Sequence, residues 1–318
     1  MKKKRFILFL FLGFFVGEIQ AQFDAQFSQY AENKEAINPG AVAENGLTNL
    51  FLVYKMQWMG FKNSPSNLFA SVNTPIDIAG TKHGVGLFFT NNTAGLFTNN
   101  SVLLQYSYKM KLFDGVLGLG LNAGCAWQAF RWGSAKAVPE GAESGMGNDY
   151  HEADVFPRDS VSLAFDAGVG AFFSNKKMYA GLSVSHLTAP NMDHDGSPVL
   201  YLPRIFYLTG GYNIPLSNAL YTVKPSTLIK TDFISMQAEL TGLLEYDKKI
   251  YGGLSYRFQD AFIFIVGMNL FDGLYAACSY DLPTSKMITS GGSLEVSIRY
   301  SFQLEFGKKN RHVSDRIL

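Results

Sequence analysis

Five histidines are the side chains of this sequence best suited to acid–base or nucleophilic chemistry. A serine hydrolase needs a histidine beside a nucleophile and an orienting carboxylate. The chain has neither a Gly-x-Ser-x-Gly nucleophile motif nor a His-x-x-x-His pair that would bind a metal ion. The sequence therefore predicts no catalytic residue, no metal and no cofactor. The histidines are His83, His151, His186, His194 and His312.

One short acidic stretch resembles the start of a calcium-binding loop. It runs from Asp193 through His194 and Asp195 to Gly196. A complete loop needs further oxygen ligands and a glutamate at its twelfth position, which here is Arg204. We interpret the stretch as a solvated turn.

A second group of charged residues lies in segments where apolar and polar residues alternate. Residues 294, 296, 298, 300, 302 and 304 are apolar, whereas the positions between them are polar or charged. A strand with lipid on one side and a wet lumen on the other uses both faces of such a pattern. Seven charged residues fall on the polar phase of these segments and are expected to line a lumen: Lys109, Asp166, Lys230, Glu239, Arg257, Glu295 and Arg299. Either they form ion pairs that fill the interior, or they line a polar channel or docking cavity.

The N-terminus reads as a secretory signal peptide. Residues 2–5 are basic, residues 6–16 are apolar, and Ala21 offers a small residue for cleavage. No later run reaches the roughly 18 apolar residues of a membrane-spanning helix. The net charge of +1 gives no reason to expect a nucleic-acid partner.

Alternation and turn signals together predict an all-β transmembrane antiparallel barrel of about fourteen strands. Short turns fall on one side, the periplasmic side, and longer connections such as 131–159 and 189–202 fall on the other. Both termini are then expected beside the short turns. A soluble β-sandwich is the alternative for such strands. The predicted strands are 47–57, 67–75, 83–91, 97–111, 115–130, 160–173, 178–188, 203–214, 219–231, 233–245, 249–258, 260–270, 273–282 and 292–304.

The three tryptophans agree with this arrangement. Trp58, Trp127 and Trp132 are expected at the outer ends of strands. Tryptophan is enriched where a barrel crosses the membrane–water interface. We therefore predict that these residues form an interfacial girdle in contact with outer-membrane lipid.

Several motifs resemble the PorP/SprF family of type IX secretion system membrane proteins of the Bacteroidetes. The N-terminal ones are QFSQY at residues 26–30, INP at 37–39, QWMGF at 57–61 and SP at 64–65. The resemblance continues to the end of the predicted barrel, through HGVGL at 83–87, PR at 203–204, GGY at 210–212, GGLSYR at 252–257 and GGSLEV at 291–296.

This resemblance implies a non-enzymatic protein of the cell outer membrane that works in type IX secretion or gliding. Its expected partners are a secreted surface protein, held through its type IX C-terminal domain, and periplasmic components of the secretion system. The expected organisation is a signal peptide at 1–21, a periplasmic or lumen-plugging segment at 22–46, the barrel at 47–306 and a basic tail at 307–318.

Two other functions remain open from the residues alone. A channel for small or hydrophobic molecules, as in the fourteen-stranded FadL-like transporters with an N-terminal plug, would use the same barrel. A barrel lipase or protease would need a histidine and a nucleophile that converge at the rim, and the sequence offers no such set.

Overall fold

The computed structural model describes residues 25–130, 160–194 and 197–304. Apart from a short helix α1 (Lys34–Ile37) and two single-turn 3-10 helices (Pro39–Ala41 and Lys286–Thr289), the regular elements are strands. Within these ranges, no helix has the length and apolar character to cross a membrane. The strands are β1 (Thr48–Met56), β2 (Ser66–Ile78), β3 (Thr81–Ala94), β4 (Phe97–Leu112), β5 (Gly115–Phe130), β6 (Ser160–Ser174), β7 (Met178–Ser185), β8 (Asn191–His194), β9 (Ser197–Tyr201), β10 (Ile205–Tyr212), β11 (Ile214–Pro215), β12 (Tyr221–Thr231), β13 (Met236–Tyr246), β14 (Ile250–Arg257), β15 (Ala261–Phe271), β16 (Leu274–Pro283) and β17 (Ser293–Phe302).

Fourteen of the described strands form one closed antiparallel barrel, which confirms the predicted fold class. The wall consists of β1–β7, β10 and β12–β17, each paired with its neighbours in the chain. The pairing of the first strand, β1, with the last, β17, closes it. Closure matters because a barrel without an edge hydrogen-bonds its backbone internally, as lipid requires.

Side chains alternate strictly between the two faces of the wall. In β1, Leu52 and Tyr54 are exposed on the outside, whereas Val53 and Lys55 are buried on the inside. The predicted phase of β17 is confirmed in the same way, since Ile298 is exposed and Ser297 is buried. The apolar outer face meets lipid, and the polar inner face meets the lumen.

The connections separate into two groups, as the sequence predicts. We call the rim with the short connections the turn end, and the opposite rim the loop end. The turn end carries residues 79–80, 113–114, 175–177, 213–220, 247–249 and 272–273. The loop end carries residues 57–65, 95–96, 131–159, 186–204, 232–235, 258–260 and 284–292. The connection 131–159 itself lies outside the described residues.

The wall differs from the prediction beside β7. This strand was expected to reach residue 188 but ends at Ser185, because His186 adopts a positive φ of 55° and turns the chain. The connection that follows contains the hairpin β8–β9, where a plain loop was expected. Leu202, near its end, packs against the inward-facing Ala126 and Ala164. The connection therefore folds over the inner side of the wall.

The lipid face predicts a depth-dependent cost for charge. Ile298→Arg places a cation in the middle of β17, so we expect the free energy of unfolding to fall by about 2–4 kcal/mol. Phe302→Arg, at the end of the same strand, should cost about 1 kcal/mol or less because an arginine there reaches the interface. Reversible denaturant unfolding in lipid vesicles measures both variants. Equal costs at the two positions would contradict the assigned membrane depth.

Candidate functional site

The lumen is occupied by the segment that precedes β1. We call residues 25–47 the plug segment. Its first residues contact side chains near the loop end, and its last residues reach the turn end, where β1 begins. Ser28 lies in the loop-end half of the lumen, so of the two positions expected for residues 22–46, in the lumen or below it, the described part lies in the lumen.

The loop-end part of the plug segment, around Ser28, is held by a cluster of buried charges. Lys55 donates to the Asp281 carboxylate at 2.8 Å and to the Ser28 hydroxyl at 2.6 Å. The Glu295 carboxylate accepts the backbone N–H groups of Ser28 and Gln29 at 2.7 and 2.9 Å. Lys55 is 1% exposed and Glu295 is 0% exposed. Charges this deeply buried must be paired, and here a serine and two backbone amides of the plug segment complete the pairing.

A second cation joins the same cluster from β14. Arg257 donates to Glu239 at 2.9 Å, to Asp281 at 3.1 Å and to the Ser28 hydroxyl at 3.0 Å. The remaining oxygen of Glu239 accepts the Ser255 hydroxyl at 2.8 Å. Side chains from β1, β14, β16 and β17 thus converge on one serine of the plug segment, and Glu239 of β13 joins them through Arg257.

The middle of the plug segment is held by Arg299 of β17. Its guanidinium binds the Glu32 carboxylate at 2.8 Å and lies over the rings of Phe51 and Tyr275, 5.4 and 5.3 Å from their centroids. From β4, four strands away around the wall, the Gln105 amide donates to the Glu35 carbonyl at 2.9 Å. The stretch from Glu32 to Glu35 is therefore held by two separate parts of the wall.

The turn-end part of the plug segment, around Pro39 and Gly40, lies directly on the wall. It can do so because the wall residues that face it are glycines, which have no side chain. A Cβ added at Gly120 would stand 2.2 Å from the Pro39 carbonyl carbon, and one added at Gly118 would stand 2.2 Å from the Gly40 oxygen. Asn38 uses this closeness, since its amide donates to the Ala171 carbonyl at 3.0 Å. Glycine in a strand often marks such a close backbone approach.

The seven predicted lumen charges all lie on the inner face. Lys55 and Asp281, which complete the buried cluster, were not singled out from the sequence, although both fall on the inner phase of their strands. Glu239, Arg257 and Glu295 meet in the buried cluster, and Arg299 binds Glu32. The ammonium of Lys109 donates to the Gly40 carbonyl at 2.9 Å. Asp166 binds His186 at 2.7 Å, and Lys230 is buried in β12.

The two described tryptophans of the predicted girdle, Trp127 and Trp58, lie at different kinds of position. Trp127 lies on the outward phase of β5, three residues from its loop end, and is half-buried. Trp58 lies beyond the end of β1 in the connection 57–65, where its backbone N–H donates to the Ser293 hydroxyl at 3.1 Å. Trp132 lies outside the described residues.

The two histidines whose side chains are described are each engaged with a neighbour. His83 lies 2.6 Å from the Tyr106 hydroxyl, and His186 is engaged with Asp166. Within residues 25–130, 160–194 and 197–304, no group of three or more His, Cys, Asp and Glu could hold a metal ion.

Residues 19–300 match the sequence profile of the type IX secretion system membrane protein PorP/SprF. The chain belongs to this family. Membership and the barrel together place the protein in the outer membrane, with secretion-system components as the class of partner that the family indicates. A comparison with curated proteins finds no match.

Solved structures similar to this PorP/SprF protein are outer-membrane barrels. The monoaromatic hydrocarbon channel CymD has a TM-score of 0.50 at 10% identity, with 91% of this chain and 95% of CymD covered. A deletion mutant of the TodX channel has a TM-score of 0.48 at 9% identity, with 81% and 90% covered. Outer membrane phospholipase A from Escherichia coli has a TM-score of 0.38 at 10% identity, with 83% and 98% covered. At these identities the similarity shows the fold alone.

The buried cluster predicts a large effect of removing one cation. Lys55→Met leaves Asp281 and Glu295 short of a partner, so we expect the free energy of unfolding to fall by about 3–5 kcal/mol. Lys82→Met, at the exposed start of β3, should change it by about 0.5 kcal/mol or less. Denaturant unfolding in detergent micelles, followed by tryptophan fluorescence, compares the two. Similar small losses in both variants would show that the cluster does not hold the structure.

The close packing of the plug segment on Gly118 and Gly120 predicts that this segment can be displaced without loss of the barrel. Gly120→Val fills the space of the Pro39 carbonyl, so amide hydrogen exchange in residues 27–42 should become faster while the wall strands stay protected. Gly242→Val is the matched control, since a Cβ there meets open space on the outer face. Unchanged protection of the plug segment in Gly120→Val would contradict the close packing.

Proposed function

We propose that this protein is a non-enzymatic component of the type IX secretion and gliding machinery that receives or anchors a secreted surface protein through its C-terminal domain. Family membership supports the machinery. Periplasmic components of the secretion system are the second class of partner, because the turn end of a bacterial barrel faces the periplasm.

The observation that carries this proposal is the occupied lumen. The plug segment touches β4–β7 on one side through Asn38 and Gly40, and β1, β16 and β17 on the other through Ser28 and Glu32. Hydrogen bonds from Lys55 and Arg257 to Ser28, and the ion pair of Glu32 with Arg299, hold it in place. A barrel whose interior is fastened in this way fits a receptor that presents its rims to partners better than it fits an open pore.

The connections 131–159 and 189–202, the longest at the loop end, are our proposed contacts for the surface protein. Long exposed connections on a rigid scaffold commonly carry binding residues.

The experiment is a mild-detergent purification of a tagged copy from native membranes, followed by mass spectrometry. We expect a large secreted surface protein and periplasmic secretion components to copurify. A variant with residues 137–153 replaced by a short Gly-Ser linker should lose the surface protein but keep the periplasmic components. Its heat-modifiable gel migration checks that the barrel has formed. Recovery of a monomeric barrel without companions would contradict the proposal.

Planar bilayer recording separates the receptor from a channel for small or hydrophobic molecules. The wild-type protein should show little conductance because the plug segment occupies the lumen, whereas Gly120→Val should conduct. Gly242→Val is the control for altered insertion. Steady large conductance of the wild-type protein would favour a channel.

A further inference from the structure

A buried lysine lies between two carboxyl groups at the seam where the barrel closes. Lys55 belongs to β1, Asp281 to β16 and Glu295 to β17, which lies between the other two strands in the wall. The Lys55 nitrogen is 2.8 Å from an oxygen of Asp281 and 3.6 Å from an oxygen of Glu295. Each of the three side chains is at most 3% exposed. A primary amine is thus enclosed with two carboxyl groups.

The surroundings of this lysine exclude water. Ile263 stands directly beside Asp281 on β15 and is 0% exposed, and Val53, two residues before Lys55, is 1% exposed. An ion pair in such a place is costly, because both charges have lost their water. A proton that moves along the 2.8 Å hydrogen bond turns the ammonium and the carboxylate into an amine and a carboxylic acid. These are the two neutral groups that condense to an amide.

The oxygens of Asp281 have the donors that attack on its carboxyl carbon requires. The guanidinium of Arg257 donates to Oδ2 at 3.1 Å, and the Ser28 hydroxyl donates to Oδ1 at 2.7 Å. Donors in these positions stabilise the negative charge that develops when a nucleophile adds to the carbon. The oxygens of Glu295 are instead fixed by two backbone N–H groups of the plug segment, at 2.7 and 2.9 Å. Asp281 is therefore placed as the electrophile, and Glu295 as a proton acceptor beside the amine.

We propose that Lys55 and Asp281 condense to an intramolecular isopeptide bond. The Lys55 nitrogen adds to the Cγ carbon of Asp281. Glu295 takes a proton from that nitrogen and returns it to the departing hydroxyl group. One N–C bond forms, one C–O bond breaks and one water molecule leaves, so the reaction needs no further reactant. Confinement drives it, because two groups held in contact can have an effective concentration on the order of 10⁵ M or more.

The bond links β1 to β16 across the closing pair of strands, β1 and β17. It makes the chain between Lys55 and Asp281 a covalent ring that persists when the barrel unfolds. Such a ring restricts the unfolded chain, as a disulfide does, and thereby stabilises the folded state. It also replaces two buried charges by one neutral amide. This modification is independent of the proposed secretion role.

The test is peptide mass spectrometry of the full-length protein purified from native membranes. Trypsin does not cut after an acylated lysine, so the bond joins peptide 35–62 to peptide 258–286. The linked pair is lighter than its two parts by one water molecule. We expect this species to account for most of the wild-type protein. After boiling in detergent, the ring should also migrate differently from an unlinked chain in a denaturing gel.

Two variants separate the reaction from the ion pair. Lys55→Arg keeps a cation beside both carboxylates, but a guanidinium stays protonated and does not condense. It should give peptides 35–55 and 258–286 unlinked, with heat-modifiable migration as the check that the barrel has formed. Glu295→Gln keeps the amine and Asp281 but removes the proton acceptor. In protein refolded into detergent from inclusion bodies, this change should slow the appearance of the linked species by about 100-fold or more.

The proposal is overturned if the wild-type protein yields peptides 35–55 and 258–286 unlinked and at their full masses. It is also overturned if the lysine is joined to Glu295 rather than to Asp281, because the donors around Asp281 then take no part. Equal rates of bond formation in Glu295→Gln and the wild type would refute the role given to Glu295.

Discussion

The structure depends on one constraint: in lipid, each backbone N–H and C=O needs a partner within the protein. Fourteen antiparallel strands meet this demand by closing on themselves through the pairing of β1 with β17. Closure divides each strand into a lipid face and a lumen face. The polar half of the chain is thereby enclosed in a narrow space, where each charge must find a partner.

The plug segment supplies several of the partners that these enclosed charges need. The buried carboxylates of Glu295 and Asp281 are shared between wall cations and the plug segment, which supplies two backbone amides and the Ser28 hydroxyl. Removing the segment would take three hydrogen-bond donors away from these buried carboxylates, so the wall and the plug segment stabilise one another. This coupling suits a protein whose rims, rather than its interior, meet other molecules.

The two halves of the lumen differ in chemistry. Near the loop end, Lys55 and Arg257 have carboxylate partners at 2.8–3.1 Å in a buried cluster. Near the turn end, cavities remain beside the plug segment, and the ion pairs that line them, Arg299 with Glu32 and Lys224 with Glu245, are partly exposed. Charges are therefore fully enclosed at one end of the lumen and reach solvent at the other.

The sequence by itself determined the barrel, the strand phases and the inward placement of charges such as Glu239 and Arg299, because alternation is a local property with a period of two residues. Glycines on the inner phase, such as Gly120, were a readable signal of close backbone approach that the charge pattern did not reveal. Only the tertiary structure decided which charges meet. Ser28 and Asp281 are 253 positions apart, and their contact depends on which strands face each other across the lumen. The path of the plug segment, which has no periodic pattern, was fixed by those partners.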